Sequence, residues 1–361
     1  MALDRLDISD FRNHRASRVE DTRQFNLLVG ENGAGKTNVL EALSLFAPGR
    51  GLRRVPLADM ASVGGSGGFA LGAALTPHDG GTPLRLGTAM QAERPGRRLV
   101  QINGAEASAT RLGEWLAMGW LTPAMDGLFS DSAGARRRFL DRMALAIDPG
   151  HARLASRYEN ALRERNRMLG GDVMPEAIWF DAVEAQLAQA GAALTQGRTA
   201  LVDQLSAELA GIPPEPFALP RLTYLPAGPA DADSFARVLR DDRARDRAAR
   251  RTLTGPHRAE LEVRMAGRGV AAAQCSTGEQ KAMLIAITLA HSDLAARGRP
   301  NLLLLDEVAA HLDPVRRTAL FGRLRASGAQ VWLTGTELAP FTDIESEAAI
   351  WRVDGGAVQR L

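Results

Sequence analysis

Apolar residues near the start of the chain come in two short runs of the kind that form β-strands. The first run extends from Leu3 to Ile8 and the second from Phe25 to Val29, which is bounded by a glycine. The chain then breaks into the string GENGAGKT and resumes as NVLEALSLF, in which apolar residues recur at helical spacing. This order predicts a strand, a loop and a helix.

Residues 51–105 carry turn signals and short runs in which apolar and polar positions alternate. The runs are FALGAAL, LRLGTAM and RRLVQIN. Alternation over such short lengths predicts antiparallel strands that are added to the first motif. No group of residues suited to catalysis occurs among them.

The spacing of apolar positions changes to that of a helix from Ala135 onward. Three stripes follow, and a proline-rich string, GIPPEPFALP, ends the third. The stripes are Phe139, Leu140, Met143, Ala144 and Ile147; then Leu154, Tyr158, Leu162 and Leu169; then Val183, Leu187, Ala190, Leu194, Leu201 and Leu205. We predict a helical subdomain of about 75 residues, with Tyr158 in its core.

Strand and helix patterns alternate again in the last third of the chain. RLTYLP is strand-like, residues 234–251 are typical of a solvated helix, and STGEQ opens a further helix. A buried strand (NLLLLDE), a helix (Pro314 to Ser327) and a third strand (QVWLT) follow. The pattern predicts one α/β domain of the ATP-binding type, which we call the head, assembled from both ends of the chain around a helical insert. We expect residues 1–125 and 251–361 to form the head and residues 126–250 the insert.

The amino-acid composition is that of a globular protein and argues against a membrane-spanning or disulfide-bonded one. The chain has 361 residues, of which 45% are hydrophobic and 24% charged, values near the average for globular proteins. No run is long and apolar enough for a membrane span, and the first residues, MALDRLDISDFRNHR, are too charged for a signal peptide. We therefore expect a cytoplasmic protein without a membrane partner. A single cysteine, Cys275, excludes internal disulfides and leaves oxygen atoms as the expected metal ligands.

Arginine is distributed unevenly, although the formal net charge is only +2. Residues 136–167 hold nine arginines and four acids, and residues 237–258 hold eight arginines and three acids. Such segments favour contact with a polyanion, and Arg136, Arg137 and Arg138 are candidates for binding DNA phosphates. A solvated helix face is the alternative for these arginines. The aromatic content of 5% is too low for a base-stacking platform, so contact with the duplex backbone is favoured.

The string from Gly30 to Thr37 matches the phosphate-binding loop G-x-x-x-x-G-K-[ST], between a strand and a helix. Glycines let backbone N–H groups turn toward phosphates, and the following helix adds its positive end. Lys36 would reach the β and γ phosphates of ATP, and the Thr37 hydroxyl would bind Mg²⁺. The predicted nucleotide-binding residues are Gly30, Glu31, Asn32, Gly33, Ala34, Gly35, Lys36 and Thr37.

Two carboxylates, Asp306 and Glu307, end a buried apolar strand. Ligands of open α/β sheets bind at the carboxyl ends of the strands, so this pair would face the phosphates. Asp306 would hold Mg²⁺ through oxygen, and Glu307 would orient or deprotonate the attacking water.

The string from Ser276 to Gln280 has two compatible interpretations. The first is a capping box, with Ser276 as the N-cap of a helix and Glu279 three residues later. The second is the signature loop of an ATPase, in which a serine hydroxyl and a glycine N–H bind a γ-phosphate. Gly278 favours the second, because a glycine in the first helical turn lowers helix propensity and is not needed by a cap.

Several strings resemble the RecF family of bacterial recombination and repair ATPases, and together they extend over essentially the whole chain. They are DFRNHR, GENGAGKTNVLEAL, ARRRFLD, RYENALRERNRML, TGPHRAEL and CSTGEQKAMLIAITLA. The resemblance implies a P-loop ATPase head of the ABC and SMC type with an inserted α-helical subdomain. By the same resemblance, we expect these two-lobed heads to form an ATP- and Mg²⁺-dependent homodimer that binds DNA at gaps. It also implies slow, DNA-stimulated ATP hydrolysis and assistance to RecO and RecR in loading the recombinase.

The resemblance further implies roles for residues in the last third of the chain. Ser276 and Gly278 would contact the ATP of the opposite subunit. Asp313, in the string His311-Leu312-Asp313, would lie in the loop that crosses between subunits. Lys36, Thr37, Asp306 and Glu307 would have the nucleotide, magnesium and catalytic-base roles given above.

The sequence differs at two places from the motifs of related ATPases. Transporter ATPases carry a histidine after the last strand, where this chain has Thr334; RecF-like proteins also lack it, which fits slow hydrolysis. The family's GPHR is usually followed by two aspartates, whereas Ala259 and Glu260 follow here, so we assign this pair no role.

Two other functions compete with the RecF-like one. An ATPase subunit of an ABC transporter would carry that histidine and would lack an insert this rich in arginine. A long-armed SMC-like ATPase needs more chain than the 238 residues between Thr37 and Ser276.

Overall fold

The computed structural model describes residues 2–77, 81–173, 175–213, 215–296, 298–309 and 312–361. The strands in these residues are β1 (Ala2–Phe11), β2 (His14–Val19), β3 (Phe25–Val29), β4 (Phe69–Thr76), β5 (Leu84–Met90), β6 (Leu99–Ile102), β7 (Ala105–Glu106), β8 (Ala117–Leu121), β9 (Pro220–Leu225), β10 (Glu260–Met265), β11 (Asn301–Leu305), β12 (Gln330–Gly335), β13 (Ala348–Asp354) and β14 (Ala357–Arg360). The α-helices are α1 (Lys36–Ser44), α2 (Leu112–Trp115), α3 (Ala133–Ile147), α4 (His151–Gly170), α5 (Ala177–Ala210), α6 (Ala232–Asp241), α7 (Arg243–Ala248), α8 (Thr277–Ala296) and α9 (Pro314–Ser327).

The chain divides into two compact units. The first comprises Met1–Asp126, Pro213–Phe217 and Leu284–Leu361, and the second comprises Gly127–Ile212 and Ala218–Met283. The second unit continues beyond the boundary predicted at residue 250, because β10 pairs with β9 in a two-stranded antiparallel sheet. None of the helices in the described ranges is long and apolar enough to span a membrane.

The first unit contains two six-stranded sheets. One has the order β14-β13-β3-β12-β11-β8, with parallel pairing except between β13 and β14. Its strands β3, β11 and β12 are buried along their whole length, as expected for parallel strands covered on both faces. The other sheet, β2-β1-β4-β5-β6-β7, is antiparallel and contains the strands predicted in residues 51–105. A single hydrophobic cluster joins residues of both sheets and of α1. The predicted α/β class is confirmed.

The second unit is mainly helical, as predicted. Its core is built where α4, α5 and α6 meet, and it includes Tyr158, Leu187, Leu194, Phe235 and Leu239. Burial of Tyr158 confirms its predicted place in the core.

The prediction of a solvated helix over residues 234–251 is wrong in one important respect. Asp246 is fully buried and accepts a hydrogen bond from Arg165 Nη1 at 2.6 Å. Arg165 is also buried, and its Nε donates to Glu184 at 2.9 Å. These contacts join α4, α5 and α7 through a buried ion-pair network, in which loss of one partner would leave an uncompensated charge. Asp246 therefore belongs to the interior of the second unit and not to an exposed helix face.

Candidate nucleotide site

The predicted phosphate loop connects β3 to α1, as its sequence requires. Gly35 is the N-cap of α1 with φ +117°, and a Cβ atom there would lie 2.8 Å from side-chain atoms of Asn13 and His14. A Cβ atom on Gly30 would lie 2.1 Å from the carbonyl oxygen of Val353. The loop is therefore packed so closely on neighbouring turns that only glycine fits at these two positions.

The exposed part of the loop consists of Glu31, Asn32 and Gly33, whereas Ala34 and Lys36 are buried. Lys36 Nζ donates to the carbonyl oxygens of Gly30 and Glu31 at 2.7 and 2.8 Å. Burial lowers the pKa of Lys36, and the negative charges of Glu307 and Asp306 oppose this shift. A buried ammonium bonded to neutral carbonyls is an environment that favours an incoming anion.

Thr37 and Asp306 lie together, as predicted. Thr37 Oγ1 donates to the two carboxylate oxygens of Asp306 at 2.9 and 3.1 Å. Asp306 follows β11, and its backbone N–H donates to the Leu121 carbonyl of β8 at 2.9 Å. A hydroxyl and a carboxylate in contact provide the hard oxygen ligands that Mg²⁺ prefers, so these residues fit the ion.

Thr334 joins the Asp306 carboxylate to the backbone of Glu307, a contact that sequence reasoning missed. Its Oγ1 donates to Asp306 Oδ1 at 2.8 Å and accepts a hydrogen bond from the Glu307 backbone N–H at 2.9 Å. Thr334 is buried at the end of β12, and Glu307 has φ +53°, a conformation that is uncommon outside glycine. One hydroxyl thus fixes both the magnesium candidate and the candidate base. The sequence offered a signal only in the position of Thr334 at the carboxyl end of a predicted strand.

Ser276 and Gly278, by contrast, lie in the second unit, at the start of α8. The Ser276 backbone N–H donates to Glu279 Oε2 at 2.8 Å, and Ser276 Oγ accepts from the Glu279 N–H at 3.3 Å. Arg268 holds the other carboxylate oxygen of Glu279 at 2.8 Å. The capping-box interpretation is confirmed, and the signature role stays a prediction.

Asp313 is the N-cap of α9, where its side chain accepts a hydrogen bond from the Arg316 N–H at 3.0 Å. Its side chain is about half exposed and also lies 3.5 Å from Arg316 Nε. His311, from the same predicted string, lies outside the described residues. The crossing role of Asp313 stays a prediction.

The three candidate DNA arginines at the start of α3 have different surroundings. Arg136 forms a two-pronged ion pair with Glu260 at 2.8 and 2.7 Å and donates to two backbone carbonyls. Arg137 is half-buried and donates to the Ala259 carbonyl at 2.6 Å, whereas Arg138 is exposed. The Arg136 guanidinium is therefore occupied by structural contacts within the second unit. Its ion-pair partner, Glu260, is a residue to which the sequence analysis assigned no role.

Arg258, the exposed arginine of the GPHR string, adds its positive charge to that of Arg137 and Arg138. Burial, together with repulsion from Arg198 and Arg258, lowers the pKa of Arg137. Arg258 is exposed, and its guanidinium contributes to this repulsion. Arg137, Arg138 and Arg258 form what we call the basic face of the second unit.

Comparisons of the chain with known proteins identify its family. The model of the RecF/RecN/SMC N-terminal domain matches residues 2–357. The DNA replication and repair protein RecF of Mesorhizobium japonicum is 46% identical to the chain, and the match covers 99% of the chain and 97% of that protein. The protein of the same name from Agrobacterium fabrum is 42% identical, with 99% and 98% covered.

Solved structures show the same fold. The recombination mediator protein RecF-ATPrS of the RecFOR pathway has a TM-score of 0.87 at 21% identity, covering 99% of this chain and 98% of that one. An Smc head bound to the C-winged helix domain of ScpA has a TM-score of 0.57 at 14% identity, covering 100% and 98%. The chain belongs to the RecF/RecN/SMC N-terminal domain family and, within it, to the RecF proteins.

Proposed function

We propose that the chain is an ATP-dependent DNA-binding protein of replication and recombinational repair. ATP would close a dimer on DNA, and slow, DNA-stimulated hydrolysis would release it. The observation that carries this proposal is the cluster of Lys36, Thr37, Asp306, Glu307 and Thr334 at the carboxyl ends of β3, β11 and β12. The names of the relatives, which refer to DNA replication and repair, support the process.

Each residue of the cluster has a task that its surroundings support. Lys36 would exchange its carbonyl partners for the β and γ phosphates, since a charge-assisted hydrogen bond is stronger than one to a neutral oxygen. Thr37 and Asp306 would hold Mg²⁺, which neutralises charge on the phosphates. Glu307 would accept a proton from the attacking water. Thr334 would hold the Asp306 carboxylate and the Glu307 backbone in place.

The dimer would place Ser276 and Gly278 against the ATP of the other subunit, with Asp313 in the loop that crosses between them. Ser276 is exposed at the N-terminus of a 20-residue helix, where backbone N–H groups and the helix dipole favour an anion. The capping contacts of Ser276 leave this role open, because the partner's phosphate would replace the Glu279 carboxylate.

Ser276→Arg is expected to leave ATP binding by the monomer unchanged and to abolish ATP-dependent dimerisation. The bulky side chain would occupy the place where the partner's γ-phosphate docks. Sedimentation with and without ATP measures the effect, and Ser276→Thr, which keeps the hydroxyl and the cap, is the matched control. A Ser276→Arg protein that still dimerises with ATP would reduce Ser276 to a helix cap.

The basic face would bind the DNA duplex through its phosphates. Arg138 and Arg258 are exposed. The acids nearest to them in the sequence, Asp141 and Glu260, are paired with Arg198 and Arg136. Like charges gathered in this way repel one another, and a polyanion removes that repulsion while it releases its own counterions. We therefore move the proposed DNA contacts from Arg136 to Arg138 and Arg258, with Arg137 beside them.

Replacing Arg138 and Arg258 together by glutamate is expected to flatten the salt dependence of DNA binding. Each lost phosphate contact lowers the slope of log K against log salt by about 0.9, so the slope should fall by about 1.8. Fluorescence anisotropy on duplex DNA with ATP measures this slope.

The control for this experiment changes charge by the same amount elsewhere in the second unit. Arg163 and Arg167 lie on α4, where they pair with Glu159 and Glu164. Replacing both by glutamate should leave the salt slope unchanged. Equal slopes for the two double variants would place the DNA surface elsewhere.

The finer parts of the proposal follow from family membership. They are a preference for gap junctions, cooperation with RecO and RecR in loading the recombinase, and a place in the cytoplasm. A pull-down of RecR by the chain, with and without ATP, tests the partner.

A further inference from the structure

His14 is a fully buried histidine that the proposed chemistry does not use. It begins β2, in the turn that follows β1, and its Nε2 lies 3.0 Å from the carbonyl oxygen of Gly35 in the phosphate loop. A carbonyl oxygen can only accept a hydrogen bond, so Nε2 must carry the hydrogen. The ring therefore donates to the last loop residue before Lys36.

The other ring nitrogen begins a chain of contacts that returns to the loop. His14 Nδ1 lies 3.0 Å from Ser17 Oγ, which lies 2.8 Å from the Gly356 carbonyl, so the single hydroxyl hydrogen of Ser17 is shared between these two acceptors. The Gly356 N–H in turn donates to the carbonyl of Ala34 at 3.0 Å. Two consecutive loop carbonyls, those of Ala34 and Gly35, are thus tied to each other through a buried side chain and the turn between β13 and β14.

We propose that His14 is a positioning residue that orients the phosphate loop through the Gly35 carbonyl. The inference rests on the proposed function only in taking this loop to be the ATP-binding element. Fixing the Gly35 carbonyl fixes the peptide plane that carries the Lys36 N–H, at the start of α1.

The loop needs such an anchor for two physical reasons. Gly35 is the N-cap of α1, and no side-chain hydrogen bond from an N-cap residue orients this end of the helix. Glycine also has more backbone freedom than any other residue. The Gly35 carbonyl accepts hydrogen bonds from the N–H groups of Asn38 and Val39 at 3.0 and 3.2 Å, and His14 adds a contact to the same oxygen from outside α1. Asn13 supplies a second one, since its Nδ2 donates to the Ala34 carbonyl at 2.9 Å. Burial lowers the pKa of His14, which favours the neutral ring, and in that form Nε2–H is the donor to Gly35.

Two variants separate the Gly35 contact from simple packing. In His14→Gln the amide nitrogen takes the place of Nε2 and can still donate to Gly35, whereas in His14→Asn it takes the place of Nδ1 and cannot. Hydrogen exchange of residues 35–39 in the nucleotide-free chain is expected to be about 3- to 10-fold faster in His14→Asn, the effect of one lost hydrogen bond. The dissociation constant for ATP should rise by about the same factor. His14→Gln should stay within about 2-fold of the wild type in both measurements.

A buried histidine in the second unit provides the matched control. His151 is 4% exposed, and its Nε2 lies 2.9 Å from Asp141. His151→Gln should change neither exchange in the phosphate loop nor ATP affinity, even if its melting temperature falls.

The two readouts keep this inference distinct from the proposed function. Equal loop exchange in His14→Asn and the wild type, or equal acceleration in His14→Asn and His14→Gln, would overturn the positioning role. If the wild type binds no ATP but His14→Asn accelerates exchange, the proposed function fails and the positioning role stands.

Discussion

Glu307→Gln is expected to bind ATP normally and to lose at least about 100-fold in the rate of hydrolysis, the usual contribution of a general base. Glutamine keeps the shape of the side chain and the backbone hydrogen bond from residue 307 to Thr334 Oγ1, but it cannot take a proton from water. The ATP-bound dimer should then accumulate, because release depends on hydrolysis. Phosphate release and sedimentation measure the two effects.

Glu31→Gln is the matched control for this change. Glu31 is an exposed glutamate of the phosphate loop, and its substitution removes the same charge from the same site. Its turnover should remain within about 2-fold of the wild type, because a phosphate loop binds through its backbone N–H groups and the Glu31 side chain is exposed. Wild-type turnover in Glu307→Gln would remove Glu307 from the role of base.

Lys36→Met is expected to weaken ATP binding by about 100-fold or more, which corresponds to the loss of strong hydrogen bonds from a charged group. Methionine fills the space of the lysine stem and offers the phosphates no donor. The free energy of unfolding should not fall, since the variant removes a buried ammonium whose pKa burial lowers. Titration with a fluorescent ATP analogue and thermal unfolding measure the two quantities.

An exposed residue of the same loop serves as the control here. Asn32→Ala should leave ATP affinity within about 2-fold of the wild type, because it keeps the backbone N–H of the loop and removes only an exposed side chain that does not contact Lys36. Near-normal ATP binding by Lys36→Met would contradict the assignment of the phosphate site.

Local patterns sufficed to predict the strand, loop and helix around Lys36. β3 was predicted over Phe25 to Val29 and α9 over Pro314 to Ser327, and the structure has these bounds. Each of these elements shows its character within a few residues, through apolar runs, a glycine-rich turn or a proline at the helix start. The local patterns did not predict strands β8, β13 and β14. The hydrogen bonds of Asp306 with Leu121, at the end of β8, and of Ala34 with Gly356, between β13 and β14, could therefore not be predicted either.

Charged residues show why the remaining features of the site could not be predicted. Arg136 and Glu260 are 124 positions apart, and Arg165 and Asp246 are 81 positions apart. The sequence gives the sign of each charge but not its partner, so a structural ion pair and a DNA contact look alike. The role of Thr334 could not be predicted for the same reason. A threonine in a buried strand is recognised as the link between Asp306 and the Glu307 backbone only when the structure shows these residues beside it.

The order of strands in the parallel sheet has a consequence for the nascent chain on the ribosome. β3 lies between β12 and β13, and Leu3 bonds to Gln330, 327 positions later. The phosphate loop therefore leaves the ribosome long before the strands that flank it, and the residues of the second unit, with a core of their own, emerge in between. Domains generally fold as units during synthesis, so the helical unit can form first. The GENGAGKT string then lacks its neighbouring strands until β12 and β13 have been synthesised, so the chain cannot complete its ATP site before residue 354 has left the ribosome.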